Sequence, residues 1–404
     1  MPPPLKTGAT TEMRLDSANS QVERAHIEAL DTALHREWAL GRNIVLTWVP
    51  CKSGIDILVI PHYVLSEYIP TPDHDTDSSE PESVIQGVIS GPKKGDQAQL
   101  KYLSKILGCK ALRIDLPFTP GVEISNKMVE SIVKRYGISY SKYRAVTLFD
   151  IVGFTLLSPL YQVTQLNSLA YSINSAYSKM VNNEVYVNFA RSTTGDGFYI
   201  WNRDRSIEAN VNLYHFMHLI LADNAVARKK SETNTTPLLR AGFHVGGHYE
   251  FYQSEGLSPT IYSYIVGDVT IELARMVDNA LPGQILVGDF HVPVHDSEDS
   301  TIFRLNTVDF IDHTQETLSS LNGLELSGEK IDSISCYLTG EKMNNGEFTV
   351  HKYMIVDKHF KGRNVYNAKI NIYRKDAEPL YLGLQSGELD EFNAVSANFI
   401  APTA

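Results

Sequence analysis

Between Ala145 and Val245 the spacing of apolar residues changes in a fixed order, and that order restricts the chain more than any other feature of it. Ala145 to Asp150 is an apolar run of strand length. Gln162 to Met180 then carries Val163, Leu166, Leu169, Ile173 and Met180 along one helical stripe. Val185 to Ala190 and Phe198 to Trp201 flank the turn Thr193-Thr194-Gly195-Asp196-Gly197, the pattern of a tight hairpin. Ile207, Val211, Tyr214, Leu221 and Ala225 mark a second helix, and Leu239 to Val245 a further strand. The order βαββαβ predicts an α+β, ferredoxin-like domain, an antiparallel sheet with helices on one face. Unrelated proteins share that order, so by itself it specifies no activity.

Upstream, Gln21 to Leu40 reads as a helix, followed by β-rich runs at Asn43 to Val49 and Ile55 to Ile60. Thr71 to Gly95 is rich in acidic residues, Ser, Pro and Gly and reads as a mobile loop that contributes little to a core. A helix over Gln97 to Leu107, a strand over Leu112 to Leu116 and a helix over Glu123 to Tyr136, stopped by Gly137, complete this part. Downstream come a helix over Thr270 to Ala280, a turn at Leu281-Pro282-Gly283 and a strand over Ile285 to Asp289. A helix over Val308 to Leu321 leads into a β-rich tail with strands at Phe348 to Val356, Val365 to Tyr373 and Pro379 to Leu384. The expected division is a disordered start (1–20), an N-terminal α+β regulatory domain (21–138), a catalytic domain (139–300) and a helix plus β-rich C-terminal region (301–404).

With 404 residues, 43% of them hydrophobic, the chain has ample material for a core. Its net charge of -11 argues against nucleic acid as a partner, because polyanion binders carry a basic face. A nucleotide would need a local cationic device. Cys51, Cys109 and Cys336 are widely spaced and odd in number, which fits a reducing cytoplasm. The first twenty residues lack an apolar signal core, and the most apolar stretch, Val211 to Ala227, carries His215, His218 and Asp223, so no membrane span is expected.

Two aspartates stand out. Asp150 ends an apolar strand and is followed by Ile151-Val152-Gly153-Phe154-Thr155, where Gly153 allows a close turn whose outward amides suit phosphate oxygens. Asp196 sits at the hairpin tip between Gly195 and Gly197. In a βαββ sheet the hairpin strand runs beside the first strand, so the two carboxylates can share a metal pair, and both are expected on exposed turns. Alone, each is more often a turn residue. Together they suit two Mg²⁺ or Mn²⁺ ions roughly 3.5–4 Å apart, the arrangement that activates an attacking oxygen and neutralises a leaving one. Magnesium takes few protein carboxylates and fills its shell with phosphate and water. His244 and His248 lie on a strand and a turn, and His215 and His218 on an apolar helix, so all four read as structural.

These residues resemble the class III nucleotidyl (adenylate and guanylate) cyclases from about Tyr143 to Asp289. Phe149 to Thr155 looks like that family's first metal motif and Thr194-Gly195-Asp196-Gly197-Phe198 like its second. Leu239 to Gly246 resembles its central strand, Val266-Gly267-Asp268 its next turn, and Ala274-Arg275-Met276 its helix with the transition-state arginine. The resemblance implies closure of a nucleoside triphosphate to a 3′,5′-cyclic nucleotide and pyrophosphate. It also implies a homodimer, with metals on Asp150, Asp196 and the Ile151 carbonyl of one copy and Arg275 reaching in from the other.

Where the family places a ribose-orienting asparagine this chain has Ile271, beside Thr270. At the base-reading positions it has Ser192, next to Arg191, where adenylate cyclases carry lysine, and Tyr264 where they carry aspartate. Tyr264 would leave room for a smaller base. Tyr353 to His359 and Tyr366 to Tyr373 look like the C-terminal sensor region of cyclases from bacterial anti-phage (Pycsar) systems. UTP or CTP is therefore the expected substrate, with an adenylate cyclase or a weakly catalytic nucleotide sensor as alternatives.

Overall fold

The computed structural model describes residues 21–68, 80–204, 206–254, 261–295, 302–326, 328–344, 348–357 and 359–400. The disordered start expected at 1–20 lies outside them. The chain divides into two compact units, one running through Ser141 and including Tyr249–Val266, the other comprising Lys142–His248 and Gly267 onward.

The first unit contains α1 (Gln21–Trp38), β1 (Asn43–Cys51), β2 (Gly54–Pro61), α2 (Glu80–Ser90), α3 (Gln97–Ile106), β3 (Leu112–Asp115) and α4 (Asn126–Lys134). The three strands form an antiparallel sheet in the order β1-β2-β3. Asp96 and Ser125 cap α3 and α4 by accepting the amides of Gln99 and Met128. One group of buried residues joins Leu30, Leu34 and Trp38 of α1 to Val129, Ile132 and Val133 of α4 over Trp48, Ile55 and Ile57. Another joins Leu58 and Ile60 to Leu100 and Leu103.

The loop expected over Thr71 to Gly95 is corrected here, since residues 80–90 of it form α2; residues 71–79 lie outside the described part. Ile85, Val88 and Ile89, spaced for one helical face, are buried among Ile44, Leu46 and Leu58. Burying each such side chain is worth roughly 1.5–3 kcal/mol, enough to order a segment whose average composition is that of a loop.

In the second unit, β4 (Ile138–Ile151, from Lys142 onward), α5 (Pro159–Asn182), β5 (Phe189–Thr193), β6 (Gly197–Asn202), α6 (Ile207–Lys230) and β7 (Leu239–Ser254) follow the expected order. β8 (Ile261–Val266) pairs with the far half of β7 inside the first unit. Then come α7 (Asp268–Asn279), β9 (Ile285–Gly288), β10 (His291–His295), β11 (Ile302–Asn306), α8 (Thr307–Thr317), β12 (Glu325–Leu326) and β13 (Glu329–Leu338). The tail supplies β14 (Val350–Val356), β15 (Gly362–Arg374), β16 (Ala377–Leu382) and β17 (Ser396–Ile400).

The strand sequence across the sheet is β12-β13-β15-β9-β7-β4-β6-β5. Its segment β7-β4-β6-β5 is the ferredoxin-like order, so the architecture is the α+β one that the apolar periodicity predicts. β9 joins parallel to β7, and β15 joins antiparallel to β9, which makes the tail strands a continuation of this sheet.

Two local readings change. α5 begins at Pro159, a favourable first-turn residue, and its inward face is Gln165, Leu169, Ser172, Ile173, Ala176 and Met180, while Val163 is 56% exposed. Gln165 is tolerated inside because its Nε2 donates to the Asn234 carbonyl at 2.9 Å. α6 is buried around most of its circumference, packed against both α5 and α8, which explains why its apolar residues run beyond a single stripe.

Candidate active site

The pairing of β4 with β6 brings the two aspartates to one end of the sheet. Phe149 lies opposite Phe198 and Asp150 opposite Gly197, and the Ile151 amide donates to the Asp196 carbonyl at 3.0 Å. A side chain at position 197 would collide with the Phe149 carbonyl oxygen, so only glycine lets β6 approach this closely. The tip is closed by the Thr194 amide donating to the Gly197 carbonyl at 3.0 Å, and Thr194 Oγ1 donates to Asp196 Oδ1 at 3.2 Å.

Asp150 is not on an exposed turn as expected. It is 9% exposed, because β4 is an interior strand between β7 and β6. Arg240, one residue into β7, donates from Nε to Asp150 Oδ2 at 2.6 Å and from Nη1 to the Ala280 carbonyl at 3.3 Å. Burial pushes the Asp150 carboxyl above its ordinary range, Arg240 pulls it back down, and the charges of Asp196 and Asp278 push it up again. The two aspartates therefore feel one another. Arg240 had no assigned role in the sequence reading. Its one signal there is a charged residue opening the otherwise apolar strand Leu239 to Val245.

The turn after Asp150 is narrower as an anion cradle than its sequence implies. The Ile151 and Val152 amides are spent inside the protein, Val152 on the Leu238 carbonyl at 2.9 Å, and the Ile151 side chain is buried. Gly153 adopts φ 69° and opens a 3₁₀ turn over Phe154–Leu156. Among the described residues no acceptor takes the amides of Gly153, Phe154 or Thr155, which leaves these three for a ligand.

Arg275 lies on α7, whose Val269, Leu273, Met276 and Val277 are buried. Gly242 of β7 lets Leu273 and Val277 come close, since even a methyl group there would press on both. Arg275 Nη1 pairs with Asp278 at 3.1 Å, and its Nε stands 3.9 Å from Asp357 Oδ2. Tyr199 of β6 donates to the Thr270 carbonyl at 3.0 Å, tying the hairpin to α7. Burial, then the nearby charges of Asp278 and Asp196 against that of Arg275, push the Tyr199 phenol up to about 12.

Most of the residues that the resemblance assigns to the ribose and base have their own partners within the protein. Thr270 Oγ1 donates to the Gly267 carbonyl at 2.8 Å and accepts the Gly267 amide at 3.3 Å, so its hydroxyl is committed to capping α7. Ile271 is 51% exposed. Arg191 donates to Asn174 Oδ1 at 3.0 Å and lies over the Phe198 ring, with Ser192 opposite Tyr199 in the β5–β6 pair. Tyr264 belongs to the first unit, opposite Phe251 and stacked on its ring at 5.7 Å.

Among the described residues no three His, Cys, Asp or Glu side chains converge as a metal cage. The aspartate pair still fits magnesium, which asks for one or two carboxylates and completes its shell from substrate phosphates. A carboxylate raised by burial and by a second carboxylate, with one oxygen held by Arg240, is a donor set that a divalent cation would stabilise. The histidines are core residues: His218 and His248 are fully buried and neither ring nitrogen of either has a partner.

No protein-family model matches the chain, and no curated protein matches it. Among solved structures it is similar to the adenylyl cyclase CyaB from P. aeruginosa, at 13% identity over 60% of this chain and 97% of that one, with a TM-score of 0.35. It is similar to the guanylate cyclase domain of RhGC from Catenaria anguillulae, at 13% identity over 59% and 100%, TM-score 0.33. A third is the dimeric guanylyl cyclase domain of the RhoGC fusion protein from Blastocladiella emersonii, at 14% identity over 59% and 99%, TM-score 0.31. With these TM-scores below 0.5, the chemistry is argued from the chain's own residues.

Proposed function

We propose that the chain carries a nucleotidyl cyclase domain that closes a nucleoside triphosphate into a 3′,5′-cyclic nucleotide and pyrophosphate. The observation that carries this is the register of β4 on β6, which sets Asp150 opposite Gly197 and so brings Asp196, at the hairpin tip, close enough for one charge to raise the other. Asp150, Asp196 and the Ile151 carbonyl would hold Mg²⁺ or Mn²⁺, which supplies activation of the ribose 3′-hydroxyl and neutralises the pyrophosphate that leaves. The amides of Gly153, Phe154 and Thr155 bind phosphate oxygens in this reading. Arg275 meets charge that grows on the phosphoryl group and leaving oxygens, from the other copy in a homodimer. Residues 21–138 then act as the regulatory domain and 139–300 as the catalytic one, with 301–404 as the sensor-like region.

A pyrimidine triphosphate in an anti-phage signalling role is the favoured substrate and setting, supported by Ser192 and Tyr264 in place of the purine-reading pair. The commitment of the Thr270 hydroxyl to the α7 cap, with Ile271 beside it, favours a second reading, in which nucleotide binds without turnover. Incubation of the purified protein with each of the four triphosphates and Mn²⁺ decides between them. A cyclic product from UTP or CTP is expected, preference for ATP makes it an adenylate cyclase, and binding without product leaves the sensor.

A further inference from the structure

α7 carries Glu272 and Arg275 one turn apart, hence on one face. The turn between β14 and β15 sets Asp357 against that face, with Val356 paired to Gly362. Asp357 Oδ1 accepts the amides of His359 at 2.8 Å and Lys361 at 3.0 Å, so the carboxylate is fixed by its own turn. These donors, the Lys361 amide foremost and Arg363 among them, hold its carboxyl down to about 2.

Asp357 thus stands beside Arg275, and Glu272 lies one turn away on the same helix face, yet neither holds the Arg275 guanidinium at hydrogen-bonding distance. Arg363, 7% exposed, donates through Nη1 to Asp357 Oδ2 at 2.6 Å, and its Nε stands 2.7 Å from Glu272 Oε2 as an ion pair without hydrogen-bond alignment. One planar cation serves both acids, a geometry that a lysine ammonium does not reproduce. Arg275 Nε, 3.9 Å from Asp357 Oδ2, has no hydrogen-bond partner although it is buried. Among the described residues the closer hold on the Arg275 guanidinium is Asp278, itself 61% exposed and at the i+3 position, a class of pair that is weak in water.

We propose that Arg363 is a positioning residue that occupies Glu272 and Asp357 and so keeps the Arg275 guanidinium available to an anionic phosphate group. The proposal rests on the reading of Arg275 as the group that meets the leaving phosphates. It places that property of the active site under the control of the C-terminal strands. If the β14–β15 turn shifts, Arg363 leaves one acid or the other, and the released carboxylate takes Arg275 back.

The test compares wild type, Arg363→Met, Arg363→Lys and the triple variant Arg363→Met/Glu272→Gln/Asp357→Asn, each verified as folded by circular dichroism. Turnover of the preferred triphosphate and calorimetric titration with inorganic pyrophosphate in Mn²⁺ are both recorded. Arg363→Met is expected to lose about tenfold or more in kcat with little change in KM, the pattern of an interaction made mainly in the transition state. Arg363→Lys should fall between it and wild type, and it carries the test if Arg363→Met does not fold. The triple variant should recover kcat, since no acid remains to capture Arg275; a structural role for Arg363 would not be rescued by removing two more charges. Unchanged kcat in both single variants, or a triple variant no better than Arg363→Met, overturns the proposal. If wild type turns over no triphosphate the cyclase reading fails, and the pyrophosphate affinities decide the positioning role by the same order of variants.

Discussion

The Nε of Arg240 donates to Oδ2 of Asp150 at 2.6 Å across neighbouring strands, so the buried aspartate of the proposed metal pair already has a cation in contact. That contact opposes the burial that raises the carboxyl above its ordinary range, and it occupies Oδ2.

Arg240→Met should expose this division of labour. Breaking the pair strands a buried carboxylate, at a cost of roughly 2–4 kcal/mol, somewhat under the fully buried range because Arg240 itself reaches solvent. Mn²⁺ should restore more of the melting temperature in the variant than in wild type, since an ion that binds only the folded site stabilises it by mass action. Equal Mn²⁺ responses in both proteins would show that the cation does not share Asp150 with Arg240.

The two aspartates should respond differently to neutralisation. Asp196→Asn removes a partly exposed charge and is expected to lose turnover by about 10² or more at near wild-type stability, the scale of deleting one charge-stabilising group. Asp150→Asn should lose turnover similarly and also about 1–3 kcal/mol of stability, because Arg240 is left short of its acceptor. Urea midpoints measured beside initial rates separate the two, and near wild-type rates in either variant would refute the metal pair.

Glycines of the site are not equivalent. Gly197→Ala drives a methyl group into the Phe149 carbonyl and should cost more than about 2 kcal/mol, because backbone on the neighbouring strand cannot yield. Gly153 sits at φ 69° with no atom near where a Cβ would stand, so Gly153→Ala should cost only about 1 kcal/mol of backbone strain. Thermal melts of the pair check the ranking.

Acid should weaken the second unit before its carboxylates titrate. Burial lowers His215 and His244 to about 4 and His248 to about 3, while each ionises near 6.5 when unfolded. The unfolded chain therefore takes up protons that the folded chain refuses, and stability falls as pH drops below about 6.5, by roughly 2 kcal/mol per histidine down to about pH 5. Asp150, raised in the fold, works in the opposite direction. A urea midpoint that stays level from pH 8 to 5 would contradict this, and His248→Gln should flatten the slope.

Much of this molecule is written locally. The period-two and helical runs from Ala145 to Val245 foretell the sheet order because each records which face of an element meets the core. The turn around Asp196 is equally legible, since Gly195 sits at a positive φ that the turn itself imposes, whereas Gly197 is required by the neighbouring strand, where Phe149 leaves no room for a side chain. Average composition misled over α2, where three well-spaced apolar residues outweighed an acidic, proline-bearing surrounding. The length of α5 was underestimated because its first turn, beginning at Pro159, faces solvent and carries no apolar stripe.

The candidate site divides along the same line. The sequence alone determined that Asp150, at a strand end, and Asp196, at the tip of the hairpin whose strand runs beside it, would come to one end of the sheet and that Arg275 would project from a helix, because strand pairing in a βαββ unit and helical phase follow from the local pattern of residues. Only the tertiary structure decided that Asp150 is buried on Arg240, that the Thr270 hydroxyl is spent on a helix cap, and that Arg363 stands between Arg275 and two acids. The Arg240–Asp150 and Arg363–Glu272 contacts join residues some ninety positions apart, for which no periodicity exists, and the shift of the Asp150 carboxyl is set by burial and by neighbouring charge, quantities that come into being when the elements pack.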